Sequence, residues 1–142
     1  MCLNYLKNFK INNNIGYKIF ELKNNKLYSL FQCQQNSYPE MVEVNECAYR
    51  YQYIYRQTSP KECLASEQRE SYDYGFHIFL KLKDAKSYLK KYYDTPNYVI
   101  CKVNFSDVVA TGYQAAGNFV VDVFATIVAK KMTILTRIFV GG

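Results

Sequence analysis

The stretch Tyr74-Gly75-Phe76-His77-Ile78-Phe79-Leu80, running into Lys81-Leu82-Lys83-Asp84-Ala85-Lys86-Ser87-Tyr88-Leu89-Lys90-Lys91-Tyr92-Tyr93, decides the fold. Its first part is apolar and aromatic with a leading Gly, which is strand composition. Its second part places Leu82, Ala85, Tyr88, Leu89 and Tyr92 at helical spacing, with lysines between them, which predicts a helix over 82–93. Thr95-Pro96 stops that helix, because the residue before a proline is pushed out of the helical region. Tyr98–Phe105 then alternates Val99, Cys101 and Val103 against Ile100, Lys102 and Asn104, so another strand follows at once. Strand, helix and strand in this order, with strands elsewhere, make an α+β domain with a largely antiparallel sheet and one helix.

Upstream, Gly16–Leu22 and Lys26–Phe31 read as two strands. Asn24-Asn25 between them suits a two-residue hairpin turn, since Asn tolerates positive φ. Residues 1–14 have no clean period and end in an Asn run. They read as a loose N-terminal segment whose Leu3, Leu6 and Phe9 dock on the body. Residues 33–48 have loop composition with room for a short strand at Met41–Val44, and residues 57–73 read as a polar loop. Tyr49–Arg56 alternates strictly, which puts Tyr49, Tyr51, Tyr53 and Tyr55 on one face of a strand and Arg50, Gln52, Ile54 and Arg56 on the other. Downstream, Ser106–Val109 continues the Tyr98 strand, Thr111-Gly112 turns the chain, and Phe119–Phe124 and Ile127–Phe139 are the last strands, joined or broken near Ala125-Thr126. The whole of 1–142 reads as one domain without internal repeats.

Composition narrows the classes of function. The chain has 142 residues, 49% of them hydrophobic and 21% charged, which excludes a wholly disordered chain. Fifteen Tyr and nine Phe with no Trp is a heavy aromatic load, and 18 basic against 12 acidic side chains give a net charge of +6. The charge is uneven: +4 over residues 1–39, −3 over 40–73 and +5 over 74–142, where no Glu occurs. Cys2, Cys33, Cys47, Cys63 and Cys101 are widely spaced with no CxxC, and there is one His, so no zinc-ligand set is formed and no metal is expected. Reduced thiols acting as small buried hydrophobes are the simplest reading. Cys2 would become an N-terminal nucleophile if Met1 were removed, but nothing else in the sequence supports that. No leader with an apolar core opens the chain, so a cytoplasmic location is expected. The apolar tail Phe119–Val140 is interrupted by Asp122, Lys130, Lys131 and Arg137, so Val123–Ala129 reads as core strand rather than a membrane span.

Candidate functional residues fall into three sets. His77 and Asp122 are the only candidates for catalysis. A lone strand His is ordinarily tied to backbone groups, and no nucleophile partner for it is visible. The Tyr49–Tyr55 ladder with Arg50 and Arg56 could pack in the protein, meet a protein partner or stack nucleobases. Lys86 and Lys90, within the Lys81–Lys91 run, form a basic helix face that is either solvated or set for an acidic partner. No P-loop, GxGxxG, HExxH or GxSxG occurs, and no cofactor is expected.

Tyr74–Phe79 with Leu82–Tyr88, Tyr98–Val109, Val128–Leu135, Gly16–Phe20 and the opening Met1-Cys2-Leu3 resemble small proteins of phages, prophages and other mobile elements, over roughly two-thirds of the chain. That resemblance implies a non-catalytic protein that binds a host protein or a nucleic-acid-associated complex, for instance as an inhibitor of defence. Gly75–Phe79, Ala85 and Tyr88 also bear a weaker likeness to the ADP-ribosyltransferase fold, which implies a nucleotide pocket at Phe76, His77 and Tyr88. The late Glu which that chemistry uses to stabilise an oxocarbenium-like ribose is missing, since Glu70 is the last Glu.

Overall fold

A computed structural model describes residues 3, 5–29, 43–45, 52–55, 62–65, 70–73, 75–116 and 122–142. In chain order these form β1 (Tyr5–Leu6), β2 (Ile15–Lys23), β3 (Lys26–Ser29), β4 (Glu43–Asn45), β5 (Gln52–Ile54), β6 (Glu62–Ala65), β7 (Glu70–Asp73), β8 (Phe76–Phe79), α1 (Leu82–Tyr92), β9 (Tyr98–Ala116) and β10 (Asp122–Val140). Among the described residues the architecture is mostly antiparallel sheet with one helix, as expected, though the balance lies toward β.

The β2–β3 hairpin turns at Asn24 (φ 53°) and Asn25 (φ 61°), both left-handed as a two-residue turn requires. β9 and β10 pair along their whole length, from Asp122↔Ala116 to Val140↔Val99. This corrects two sequence expectations. Thr111-Gly112 does not turn the chain but lies inside β9, where Gly112 pairs with Leu6 on one side and Thr126 on the other. Ala125-Thr126 does not break the last strand, which is continuous.

Register shifts at Val128/Ala129, between Ile134 and Thr136, and between Arg137 and Phe139 bend this long ribbon. Two residues beyond the first of them, where Val109 is the extra residue, Asp107 has φ 56° and its carboxylate pairs with Lys131 Nζ at 3.2 Å. The bends let each long strand serve two neighbours. β10 pairs with β8 through Thr126–Ala129 and with β5 through Lys131–Thr133. β9 pairs with β2 through Tyr98–Asn104 and with β1 at Gly112 and Tyr113.

β2 also meets β8 at Tyr17↔Phe79, so the ladder β2–β9–β10–β8 closes on itself. The closure is staggered. From Phe79 the direct step reaches Thr126 on β10, whereas the path through Tyr17 and Lys102 reaches Thr136. Such a stagger accompanies strand tilt in closed sheets.

Strand alternation then sorts the core. Phe20, Phe76, Ile78, Val99, Cys101, Val103, Phe105, Ile127, Met132 and Ile134 pack together on one side of the strands. Ile19, Phe79, Ile100 and Phe124 face the other way and receive Ala85, Tyr88 and Leu89 of α1. Full burial of each large apolar side chain contributes about 1.5–3 kcal/mol. A third cluster joins Leu3, Tyr72 and Val128, with Leu6 packed against it, so the N-terminal segment does dock on the body. Within 57–73 the polar-loop expectation is replaced by a hairpin, β6 with β7, in register Glu62↔Asp73 to Ala65↔Glu70. Its alternation is too short and polar to register as strand from sequence alone.

α1 begins at Lys81, which offers no side-chain cap, and ends at Tyr93, whose N–H donates to Leu89 O at 2.7 Å. Asp84 in the first turn and Lys90 and Lys91 in the last turn suit the helix dipole.

Candidate functional site

With Ala85, Tyr88 and Leu89 turned to the sheet, α1 presents Lys83, Lys86 and Lys90 outward along one stripe. The outer two are seven residue steps apart on the helix, about 10 Å at 1.5 Å per residue. Together with Leu82 and Ser87 they line an open depression of about 440 Å³. Lys83 and Lys90 are exposed. Lys86 is half-buried, with Nζ 5.0 Å above the Phe139 ring. Such a contact is worth about 0.5–1 kcal/mol where water still reaches it.

None of the three lysines takes part in an ion pair among the described residues. Asp84, on a neighbouring face, has its carboxyl held above the usual range by burial, against the pull of Lys81 and Lys83. The end of β10 runs beside the helix. A side chain at Gly141 would collide with Thr95 O and crowd Leu89 Cδ2 at 3.2 Å. Ile138 (38% exposed) and Val140 (47%), which flank Phe139 in the chain, are open to solvent. The result is a cationic stripe beside Phe139, whereas Val140, paired with Val99, lies on the opposite face of β10.

His77 is elsewhere. It points out of β8 into the Leu3–Tyr72–Val128 cluster and is 4% exposed. Its Nδ1 lies 3.2 Å from Gly75 O and its Nε2 3.0 Å from Tyr72 Oη, while Leu3 N–H donates to that same Oη at 2.6 Å. One proton arrangement satisfies all of these. Nδ1–H donates to Gly75 O, the Tyr72 hydroxyl donates to Nε2, and Tyr72 Oη accepts from Leu3. The imidazole is therefore the neutral Nδ1–H tautomer. Burial pushes its pKa well below the usual value, and the Lys18 charge acts in the same direction.

Lys18 was not singled out by the sequence. It sits on β2, is 1% exposed, and donates from Nζ to His77 O at 3.0 Å. Its ammonium lies 5.9 Å from the Phe76 ring, and burial lowers its pKa to about 7. The available signal was alternation, which puts Lys18 on the same strand face as Gly16 and Phe20.

The remaining sequence candidates are dispersed. Tyr53 and Tyr55 are half-buried against the core, with Tyr55 edge-on to Phe76 at 5.3 Å, while Gln52 and Ile54 are exposed. The alternation holds there, and the phenol side packs against the protein. Tyr49, Arg50, Tyr51 and Arg56 lie outside the described residues. Asp122 opens β10 opposite Ala116. Phe76, His77 and Tyr88 enter three different clusters and do not converge on one pocket. Lys86 and Lys90 do come together, with Lys83, at the depression on α1.

Among the described residues no group of three or more His, Cys, Asp or Glu is placed to hold a metal ion, and no helix is long and apolar enough to cross a membrane. The chain matches no protein-family model, no curated protein and no solved structure.

Proposed function

We propose that this chain is a non-catalytic binding protein of a phage or other mobile element, which docks the outer face of α1 against an acidic surface of a host protein or nucleic-acid-associated complex. The observation that carries this reading is the stripe Lys83–Lys86–Lys90: three ammonium groups around one depression with no carboxylate paired to them among the described residues. Unpaired cations on a rigid helix steer an acidic partner and set its register at little cost in conformational order. Leu82, which lines the same depression, gives the site an apolar contact that favours a protein surface over a bare phosphate backbone, because protein interfaces combine apolar contact with a charged rim. His77 commits both ring nitrogens to holding the fold together, which supports binding rather than turnover.

The test compares wild type with a Lys83→Glu/Lys86→Glu/Lys90→Glu variant, both folded by circular dichroism, as bait in host lysate. Wild type is expected to retain a protein that elutes as salt rises from about 0.1 to 0.5 M, and the variant is expected to lose it. Equal retention by both would overturn the reading. So would salt-sensitive binding of labelled RNA or DNA with no protein retained.

A further inference from the structure

We propose, resting on the acidic docking face described above, that the depression on α1 is a socket for an acidic helix of the partner, which inserts one carboxylate side chain between Lys83, Lys86, Ser87 and Lys90. Spacing carries this. The four residues stand at i, i+3, i+4 and i+7 of one helix and line one depression. That diamond is the hole which receives a side chain of a facing helix when two helices pack knobs into holes.

The chemistry of the diamond selects the knob. Ser87 is exposed and has the smallest side chain of the four, so a facing backbone can come close over it. Its hydroxyl is a donor for an incoming carboxylate. Lys83, Lys86 and Lys90 form the rim, and none of them is ion-paired among the described residues. An apolar knob would leave three ammonium groups without counter-charge at a closing interface, whereas a carboxylate supplies it. Lys86 is the braced wall of the socket, with Nζ 5.0 Å from the Phe139 ring. Leu82 lines the same end and offers apolar contact to the stem of an inserted Glu.

The same spacing disfavours an extended partner. Lys83 and Lys90 are about 10 Å apart along the axis, and a facing helix repeats that interval with its own residues i and i+7. Three same-face residues of a strand span about 13 Å and fall out of step with the rim. Asp84, on the neighbouring face, repels a carboxylate displaced to that side and so confines the acidic row to the lysine stripe.

Two alanine-based peptides of about 17 residues test this, by NMR titration of the intact isotope-labelled chain at about 20 mM salt. Both carry Glu at i, i+3 and i+7. The second differs only in two central D-residues, which break the helix. The helical peptide is expected to shift the Ser87 and Lys90 amide signals and to bind about fivefold tighter than its isomer, because less order is lost on docking. Ser87→Leu fills the socket without changing charge, and is expected to erase the preference. Ser87→Ala leaves the socket open and is expected to keep it. Circular dichroism checks that both variants fold. Equal binding of the two peptides, no binding of either, or a preference that survives Ser87→Leu would overturn the socket. The acidic docking face would still stand in each case if the Lys83→Glu/Lys86→Glu/Lys90→Glu variant loses the host protein that wild type retains, and it falls only if that variant retains it equally.

Discussion

Lys18 is the residue whose chemistry departs furthest from its appearance in the sequence. An ammonium with one hydrogen bond, to His77 O, and no carboxylate partner among the described residues is held beside an otherwise apolar core. Charging it there costs several kcal/mol even after relaxation. Its folded pKa of about 7 lies below the unfolded 10.5, so between those values the unfolded chain binds a proton that the folded chain does not. Stability therefore rises with pH across that window, at up to about 1.4 kcal/mol per pH unit, and is insensitive to this group below it. Replacing Lys18 with Met is expected to stabilise the protein by about 1–4 kcal/mol at pH 7 and to remove the slope. Urea denaturation of both proteins at pH 7 and pH 9 checks this, and a variant that keeps the slope would exonerate Lys18. Cys101 behaves in the opposite way. Burial pushes its thiol up to about 12, so the nucleophilic thiolate is scarce at neutral pH. Iodoacetamide at pH 8 is expected to leave Cys101 unmodified in the native protein and to alkylate it in denaturant, as peptide mapping by mass spectrometry would show.

At the scale of the element, α1 forms because its apolar positions repeat at helical spacing, not because its start is well capped. Lys81 at the N-cap has extended backbone angles and no side-chain bond to the first-turn amides. Lys81→Ser is expected to supply that bond and add about 1 kcal/mol, measured by thermal melting, without touching the Lys83–Lys86–Lys90 stripe. A destabilised variant would mean that the aliphatic stem of Lys81 packs to greater effect than a cap. This helix and the β2–β3 hairpin were legible in the sequence because their signals are local: 3.6-residue spacing in one case, two adjacent Asn residues in the other. What was misread depends on partners far away in the chain. Gly112 looks like a turn residue, yet strands on both of its sides supply the pairing that its own propensity does not. Tyr72 looks like part of a polar loop, yet its hydroxyl is fixed by Leu3, 69 residues away, and by His77. The charge of Lys18 hid what its strand position implied. The helix lysines of the candidate site were legible as a face. Their company with Phe139 and the end of β10 was not, since that contact spans more than fifty residues of sequence.

For the whole molecule, the decisive event is closure of the β2–β9–β10–β8 ladder, and its weakest seam is β2 against β8. A single residue pair, Tyr17↔Phe79, bridges that seam, with the Lys18–His77 hydrogen bond beside it. Gly16 lies next to the bridge. A Cβ built there would sit 2.4 Å from Ile78 Cγ2 and 2.9 Å from Phe79 O, the second a backbone atom that cannot rotate aside. Hydrogen at this position is thus what allows two strands with only one bridging pair to approach closely enough to close the ring. Gly16→Ala must push β2 and β8 apart. Overpacking of this kind costs about 1–3 kcal/mol, and loss of the Lys18–His77 bond would place the variant toward the upper end. Strain confined to the seam should also be visible as locality. Amides of β2 and β8 are expected to exchange faster in Gly16→Ala, while the long β9–β10 ribbon, held by pairing along its full length, keeps its protection. Uniform loss across all four strands would show instead that the ring is one cooperative unit with no seam, and an unchanged exchange pattern would mean that the two strands do not need the missing side chain in order to meet.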